Sequence, residues 1–226
     1  MSVKLLSLNA KLVAGCLVML SISLILSISL ILIFGEYHLR TQRDVVLLTM
    51  FKRTLVAVST MTLERGPIAA LFNAEPNANP KAREMLASYR AAGNTAIATI
   101  LHPGSGDLDL SADKDLVAAV DRAQMALNAG RTSIDKIISV PRAERTAESM
   151  HLGLENMFAA GDLLRPIALA AIVKITAEDP ALAGPALIAM MLGDMRDYCG
   201  RYGAQLVPYV TMRERIPDSV VADITR

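Results

Sequence analysis

Cysteine, histidine and aromatic residues are all scarce in this chain: two cysteines, three histidines and 4% aromatics in 226 residues. Cys16 lies in an apolar run near the amino terminus and Cys199 far beyond it, so no intrachain disulfide is expected. His38, His102 and His151 are scattered, and with a single cysteine beyond the apolar run they offer no zinc-ligand spacing. An excess of charge of one sign is missing too. Lys4 and Lys11 are the only charged side chains before Glu36, which leaves 21 basic against 22 acidic residues in the rest. That balance gives no electrostatic footprint for nucleic acid. No Ser/His/Asp or Cys/His arrangement, phosphate loop or paired-carboxylate motif occurs, so an enzyme is not expected, and neither is a cofactor. The stretch Asp107–Asp115 superficially resembles a calcium loop. It has Ala112 at the sixth position and Ala118 at the twelfth, where such a loop needs glycine and a bidentate glutamate, so no metal is assigned. No segment alternates with period two, which excludes a sheet from the reading.

What is present is an uncharged run of 23 residues, Leu12 to Phe34, interrupted only by Ser21, Ser23, Ser27 and Ser29. As a helix it would extend roughly 35 Å, enough to cross a hydrocarbon core of about 30 Å with some tilt. Serine hydroxyls bond back to helix carbonyls and are tolerated in lipid. The run is too long for a cleaved signal peptide. Val13-Ala14-Gly15-Cys16 looks like a lipidation site, yet the apolar region follows the cysteine instead of preceding it. An uncleaved anchor is the better reading. Lys4, Lys11 and the amino terminus are positive, and the other flank mixes Glu36, Arg40, Arg43 and Asp44. The positive-inside rule then keeps residues 1–11 in the cytoplasm and exports residues 36–226.

The exported part is rich in alanine, leucine and methionine, which is helix-forming material. Leu48, Phe51, Leu55, Val58, Thr62, Arg65, Ala69 and Phe72 alternate spacings of three and four, the seam of one long helix, ended by the Asn73–Pro80 stretch. A second helix is expected from about Lys81 to Leu101 through Leu86, Tyr89, Ala96 and Ile100. After a loop at His102–Gly106, Ser111 reads as an N-cap with Asp113 and Asp115 in the first turn. Leu116, Val120, Ala123, Leu127, Gly130, Ile134 and Ile137 line a third helix. Pro141 marks a break or a new start. Met150, Leu154, Met157 and Phe158 line a fourth, with a kink allowed at Gly161-Asp162 before Leu163, Ile167, Ala170 and Val173. After a turn at Ala177–Pro180, a last helix starts near Pro185 and carries Ile188, Met191, Met195, Tyr198, Tyr202 and Gln205. The expected fold is all-α: a membrane helix continuing into an antiparallel bundle of four-helix type, in one bundle or two.

Two segments stand out against this background. In Met61-Thr62-Leu63-Glu64-Arg65-Gly66-Pro67, Arg65 occupies a seam position among apolar residues. A buried guanidinium needs a planar anion; that partner is a ligand, or a structural carboxylate such as Glu64 or one across the bundle. Met195-Arg196-Asp197-Tyr198-Cys199-Gly200-Arg201-Tyr202-Gly203 places arginines, tyrosines and glycines on an otherwise apolar helix. Each glycine costs about 1 kcal/mol relative to alanine in a helix, which points to close helix approach. The bland alternative is a solvated face with Arg–Asp pairs at helical spacing.

Leu63-Glu64-Arg65-Gly66 resembles a motif of the nitrate- and nitrite-sensing (NIT) domain family and of related helical sensor regions in bacterial chemoreceptors, histidine kinases and diguanylate cyclases. Met195-Arg196-Asp197-Tyr198-Cys199-Gly200-Arg201 is similar to a second stretch of the same receptors. The resemblance covers about residues 36–216. It implies a homodimeric sensor domain in the periplasm, carried by a single-pass protein of the bacterial inner membrane, that binds a small anion between arginines. Arg65 would be the first-helix arginine and Arg196 or Arg201 the late one. Nitrate, nitrite and other small anions stay open as ligands. Such receptors return through a second membrane helix to an output module, and neither follows here. Residues 217–226 therefore read as a truncated polar tail. The competing expectation is a membrane-anchored structural or adaptor bundle that binds a partner helix.

Overall fold

The structure, a computed structural model, describes residues 8–102 and 113–225, and the side chains of all of these but 8–20, 22, 33, 35–43, 178 and 223–225. The expected N-cap Ser111, residues 103–106 of the loop and residues 107–112 of the calcium-like stretch lie outside the described residues. All regular structure among those described is helical: α1 (Leu8–Thr62), α2 (Arg65–Phe72), α3 (Pro80–Leu101), α4 (Lys114–Ser139), a 3-10 turn (Arg142–Glu144), α5 (Ala147–Glu178), α6 (Pro180–Met212) and α7 (Asp218–Thr225). The chain divides into two compact units, Met1–Val45 and Val46–Arg226.

In the first unit, every described large apolar side chain from Leu24 to Phe34 is between 49 and 69% exposed. Ser23–Leu32 forms a short apolar helix there, while Asp44–Phe72 is the stretch that is long and apolar enough, by length and composition, to cross a membrane. The run read from the sequence as the membrane helix, 12–34, differs from that stretch, and the side chains of 12–20 lie outside the described residues.

In the second unit the expected long first helix is broken. Pro67 has no N–H to offer the Leu63 carbonyl and its ring crowds that carbonyl, so the helix cannot pass through. The chain tightens instead, with Leu63 N–H bonding Thr60 O at 3.1 Å and Glu64 N–H bonding Met61 O at 3.3 Å, and restarts at Arg65. Pro67 is then in the first turn of α2, where its missing donor costs nothing. The buried stripe of this region is Leu47, Phe51, Thr54, Ala57, Met61 and Glu64. Phe51 and Phe72 of the predicted seam are buried as expected, but otherwise the stripe lies one position away from that seam, whose Leu48, Leu55, Val58, Thr62 and Arg65 are half-buried on its shoulder. Thr54 fits the interior because its hydroxyl donates to Met50 O at 2.8 Å.

Local chemistry sets the other boundaries. Asn79 accepts from Ala82 N–H, with Pro80 at the first helical position of α3. Asp113 caps α4, accepting from Asp115 and Leu116 N–H. Leu116, Val120, Ala123, Leu127, Gly130 and Ile134 of α4 are buried as expected, and Ile137 is half-buried. A Cβ on Gly130 would stand 2.8 Å from the Met157 backbone nitrogen, so only glycine lets α4 and α5 come this close. Arg145, 3% exposed, donates to the carbonyls of Leu71, Phe72 and Ala74 at the end of α2 and of Ile138 and Val140 at the end of α4. Its fork thereby satisfies the orphan carbonyls of α2 and α4 at once.

Two expectations fail on α5 and α6. Helix α5 runs unbroken through Gly161-Asp162, and its inner face is Leu164, Ile167, Ala168 and Ala171, while Val173 is 67% exposed. Helix α6 begins at Pro180, capped by Asp179, and the first part of its predicted inner stripe faces outward, Ile188, Met191 and Met195 being 60 to 65% exposed, while Tyr202 and Gln205 are half-buried. The inward positions are Ala186, Met190, Gly193, Asp197 and Arg201, a face of small and polar residues that a hydropathy pattern ranks as outer. Residues 218–225, expected as a polar tail, form α7, with Val220 buried against Ala147 and Tyr209.

Candidate functional site

The turn between α1 and α2 sends two neighbouring charges to different helices. Glu64 is fully buried and receives a two-pronged bond from Arg131 of α4, Nη2 to Oε1 at 2.6 Å and Nε to Oε2 at 3.1 Å. Arg131 also donates to Asn94 Oδ1 at 2.6 Å and the Arg90 carbonyl at 3.3 Å, so its fork is filled from within the protein. Arg90 in turn holds Asp135 through two bonds of 2.8 and 2.9 Å. A buried charge is tolerable only when paired and hydrogen-bonded in this way.

Arg65, the first residue of α2, turns to α6. It donates to the Asp197 carbonyl at 3.2 Å and to Asp197 Oδ1 at 2.6 Å. The second Asp197 oxygen accepts from Arg201 Nε at 2.8 Å, four residues along the same helix. Arg201 closes the group by donating to both oxygens of Asp162 on α5, at 2.7 and 3.0 Å. The Phe158 ring carries both guanidinium groups, Arg65 at 4.8 Å and Arg201 at 5.1 Å from its centroid. A Cβ at position 200 would stand 2.9 Å from Arg65 Nη1, so Gly200 is what lets that side chain lie against α6.

The two arginines are not electrostatically alike. Burial lowers the pKa of Arg65 below the usual guanidinium value, and Asp197 offsets only part of that. Burial works against the charge on Arg201 as well, but the bond to Asp162 and the Asp197 carboxylate outweigh it and raise its pKa.

Arg196 sits apart from this group. It is exposed, and its guanidinium donates to the Ser59 hydroxyl of α1. Among the described residues it faces no carboxylate within ion-pair distance. It lines a cavity of about 300 Å³ between α1, α5 and α6, whose apolar lining includes Leu55, Val58, Ala168 and Met190 and whose charged lining is Arg165, Asp194, Arg196, Asp197 and Arg201. Arg165 is paired with Asp194 at 2.7 Å and bonds the Tyr198 hydroxyl.

Of the three arginines singled out in the sequence, Arg65 and Arg201 meet on one carboxylate, and Arg201 and Arg196 border one cavity, while Arg65 does not line it. Sequence reasoning missed Asp197 as the residue between them, along with Asp162, Phe158 and the Glu64–Arg131 pair. Only Asp197 left a signal, its spacing of four from Arg201. Arg131 sits one position past the seam glycine Gly130, and nothing local marks it as buried.

Comparison with protein-family profiles, with curated proteins and with solved structures finds no match to this chain.

Removing one member of the Glu64–Arg131 pair leaves the other buried without its main partner, Glu64 keeping only the more distant Arg90 at 3.7 Å. Glu64→Ala and Arg131→Met are each expected to lower stability by about 3–5 kcal/mol, measured by denaturant unfolding of the full chain in detergent. The double variant should lose clearly less than the sum of the two. Additive losses would mean that the two charges do not act as one unit.

Proposed function

We propose that this chain is the ligand-sensing extracytoplasmic part of a bacterial transmembrane receptor of chemoreceptor, histidine-kinase or diguanylate-cyclase type. Its ligand is a small anion, of which nitrate and nitrite are the candidates the sequence resemblance supplies. One observation carries this reading: a cavity of about 300 Å³ has at its rim an arginine, Arg196, that pairs with no carboxylate among the described residues. Arg196 contacts the anion directly, Arg201 borders it, and Arg65 acts at one remove by holding Asp197. An anion docking there gains a charge-assisted hydrogen bond without breaking an existing ion pair.

The helices of the second unit form an antiparallel bundle in this reading. Gly130 meets Met157 while Ile134 meets Gly153, and Asp162 meets Arg201 while Arg165 meets Asp194. In each pair of contacts one helix ascends as the other descends. The membrane anchor is the run 12–34, whose described side chains are apolar but for four serines, the large apolar ones all being exposed, as a lipid-facing helix requires. Asp44–Phe72, the end of α1 and α2 together, belongs instead to the bundle core, because it buries Phe51, Ala57 and Met61 and carries the paired charges Glu64 and Arg65. The flanking charges place residues 1–11 in the cytoplasm and 36–226 in the periplasm of an inner-membrane protein.

The receptor is a homodimer, and the outer stripe of α6 is its contact. Ile188, Met191, Met195, Tyr198 and Tyr202 follow the three–four spacing of a two-helix seam, and the first three are at least 60% exposed. A second copy offers the same stripe and the same spacing, which a two-fold contact uses twice. The same stripe also favours the second reading, an anchored adaptor whose α6 receives a helix of another protein.

Three measurements test these statements. Thermal unfolding of the full chain in detergent, with small anions at matched ionic strength, should show a saturable rise with at least one of them. A ligand at about 100 times its dissociation constant adds roughly 2.7 kcal/mol. The rise should vanish in Arg196→Ala with the unliganded Tm unchanged; no rise across the panel would move the weight to the adaptor. The exposed thiol of Cys199 should react with a membrane-impermeant maleimide added to spheroplasts. Labelling only after permeabilisation would reverse the topology. Light scattering should give a dimer that Met191→Glu with Met195→Glu disperses, whereas a monomer with the stripe intact would favour a foreign partner helix.

A further inference from the structure

The cavity beside Arg196 is much larger than an inorganic oxyanion needs. Its volume of about 300 Å³ is the liquid share of roughly ten waters at ~30 Å³ each. An apolar protein cavity of about 150 Å³ holds a benzene molecule, so this one has room for a ring and a short polar arm. Leu55, Val58, Ala168 and Met190 form an apolar wall of the cavity, and the Thr54, Thr60 and Thr62 hydroxyls that also line it donate to carbonyls of their own helix. A four-atom anion on Arg196 would leave that wall against water or void and gain nothing from it. An apolar body would bury it.

The charges at the polar end fix the ligand's own charge. Arg65 and Arg201 share Asp197, Arg201 is also matched by Asp162, and Arg165 is matched by Asp194. Among the described residues, Arg196 is the cation left over at the rim. One extra negative charge is balanced there, while a second would meet Asp194 and Asp197, which line the same cavity. We infer that the cavity takes a monocarboxylic acid with a compact apolar body. The carboxylate sits on Arg196 beside Ser59, and the body lies against Leu55, Val58, Ala168 and Met190. This names the ligand class for the sensing function proposed above and rests on it.

The test uses the full chain in detergent with benzoate, hexanoate, nitrate and benzamide at matched ionic strength, read by thermal unfolding. Benzoate or hexanoate should raise Tm saturably, whereas nitrate, which lacks the body, and benzamide, which lacks the charge, should not. Arg196→Ala should keep the unliganded Tm and weaken the carboxylate by about tenfold to a hundredfold, the range of one charge-assisted hydrogen bond. Gly193→Leu should abolish the response by filling the cavity. A Cβ there stands 3.6 Å from Leu55 Cδ2, an ordinary contact, so the variant is expected to fold. Partition of the acid into micelles would act on all three proteins alike and is removed by comparing them. A rise with nitrate equal to or above that with the carboxylates overturns this inference and leaves small-anion sensing standing. A benzamide response as large, or a carboxylate response that survives both substitutions, overturns the assignment of the cavity. Silence with every anion overturns both this inference and the sensing function.

Discussion

A single proline decides how the charged interior of this bundle is built. Pro67 stops α1 from continuing, and the tight turn it forces at Leu63-Glu64 gives consecutive residues opposite directions. Glu64 goes inward with no exposed surface and must find a cation, which α4 supplies as Arg131. Arg65 starts α2 and points to α6, where Asp197 receives it. In a continuous helix the two side chains would stand about 100° apart with no change in axis, at 3.6 residues per turn. The break is what allows one short segment to bond two separate helices.

The consequence is specificity of packing more than raw stability. Replacing a buried ion pair by apolar residues is often neutral or stabilising, so neither cluster is needed merely to keep the helices together. Apolar contacts already do that: one core joins the end of α1, α2, α3, α4 and the first half of α5, and another joins α1, the second half of α5 and α6. Apolar contacts alone tolerate small slips of one helix along another. The two-pronged Glu64–Arg131 bond and the shared Asp197 do not, because a one-residue slip would strand a buried charge. Phe158 adds to this restraint by giving both Arg65 and Arg201 one ring to lie on.

What the sequence made legible follows the same division. The inner face of α4 could be read because it is apolar at strict helical spacing, and the start of α3 because Asn79 and Pro80 are strong local signals. The inner face of α6 could not. Its inward positions are Ala186, Met190, Gly193, Asp197 and Arg201, and the larger apolar residues lie outside, so the pattern pointed the wrong way. Arg65 drew notice because it interrupts an apolar seam, but its partner lies 132 positions away, and no local rule links them. The proline break was missed because the seam continues across it with correct spacing; periodicity records the face of a helix and is blind to a missing donor. The apolar run 12–34 was legible from composition alone, while its boundary with the bundle was not.

The geometry also changes which arginine a ligand can use. The sequence motif draws attention to Arg65, but that guanidinium is bonded to Asp197, whose side chain is 5% exposed. An anion competing for Arg65 would displace this carboxylate and leave it with Arg201 as its remaining partner, itself shared with Asp162. Leaving a buried charged group short of partners costs on the order of 1–3 kcal/mol or more, which a weakly held anion would have to overcome before gaining anything. Arg196 carries no such cost, since its bond to the Ser59 hydroxyl is exchanged at an exposed rim. Its neighbour in the chain, Asp197, is fixed from both sides by Arg65 and Arg201, so the helical turn that presents Arg196 is held in place. The paired arginines thus serve as scaffold, whereas Arg196, which faces no carboxylate within ion-pair distance among the described residues, is held by the Ser59 hydroxyl.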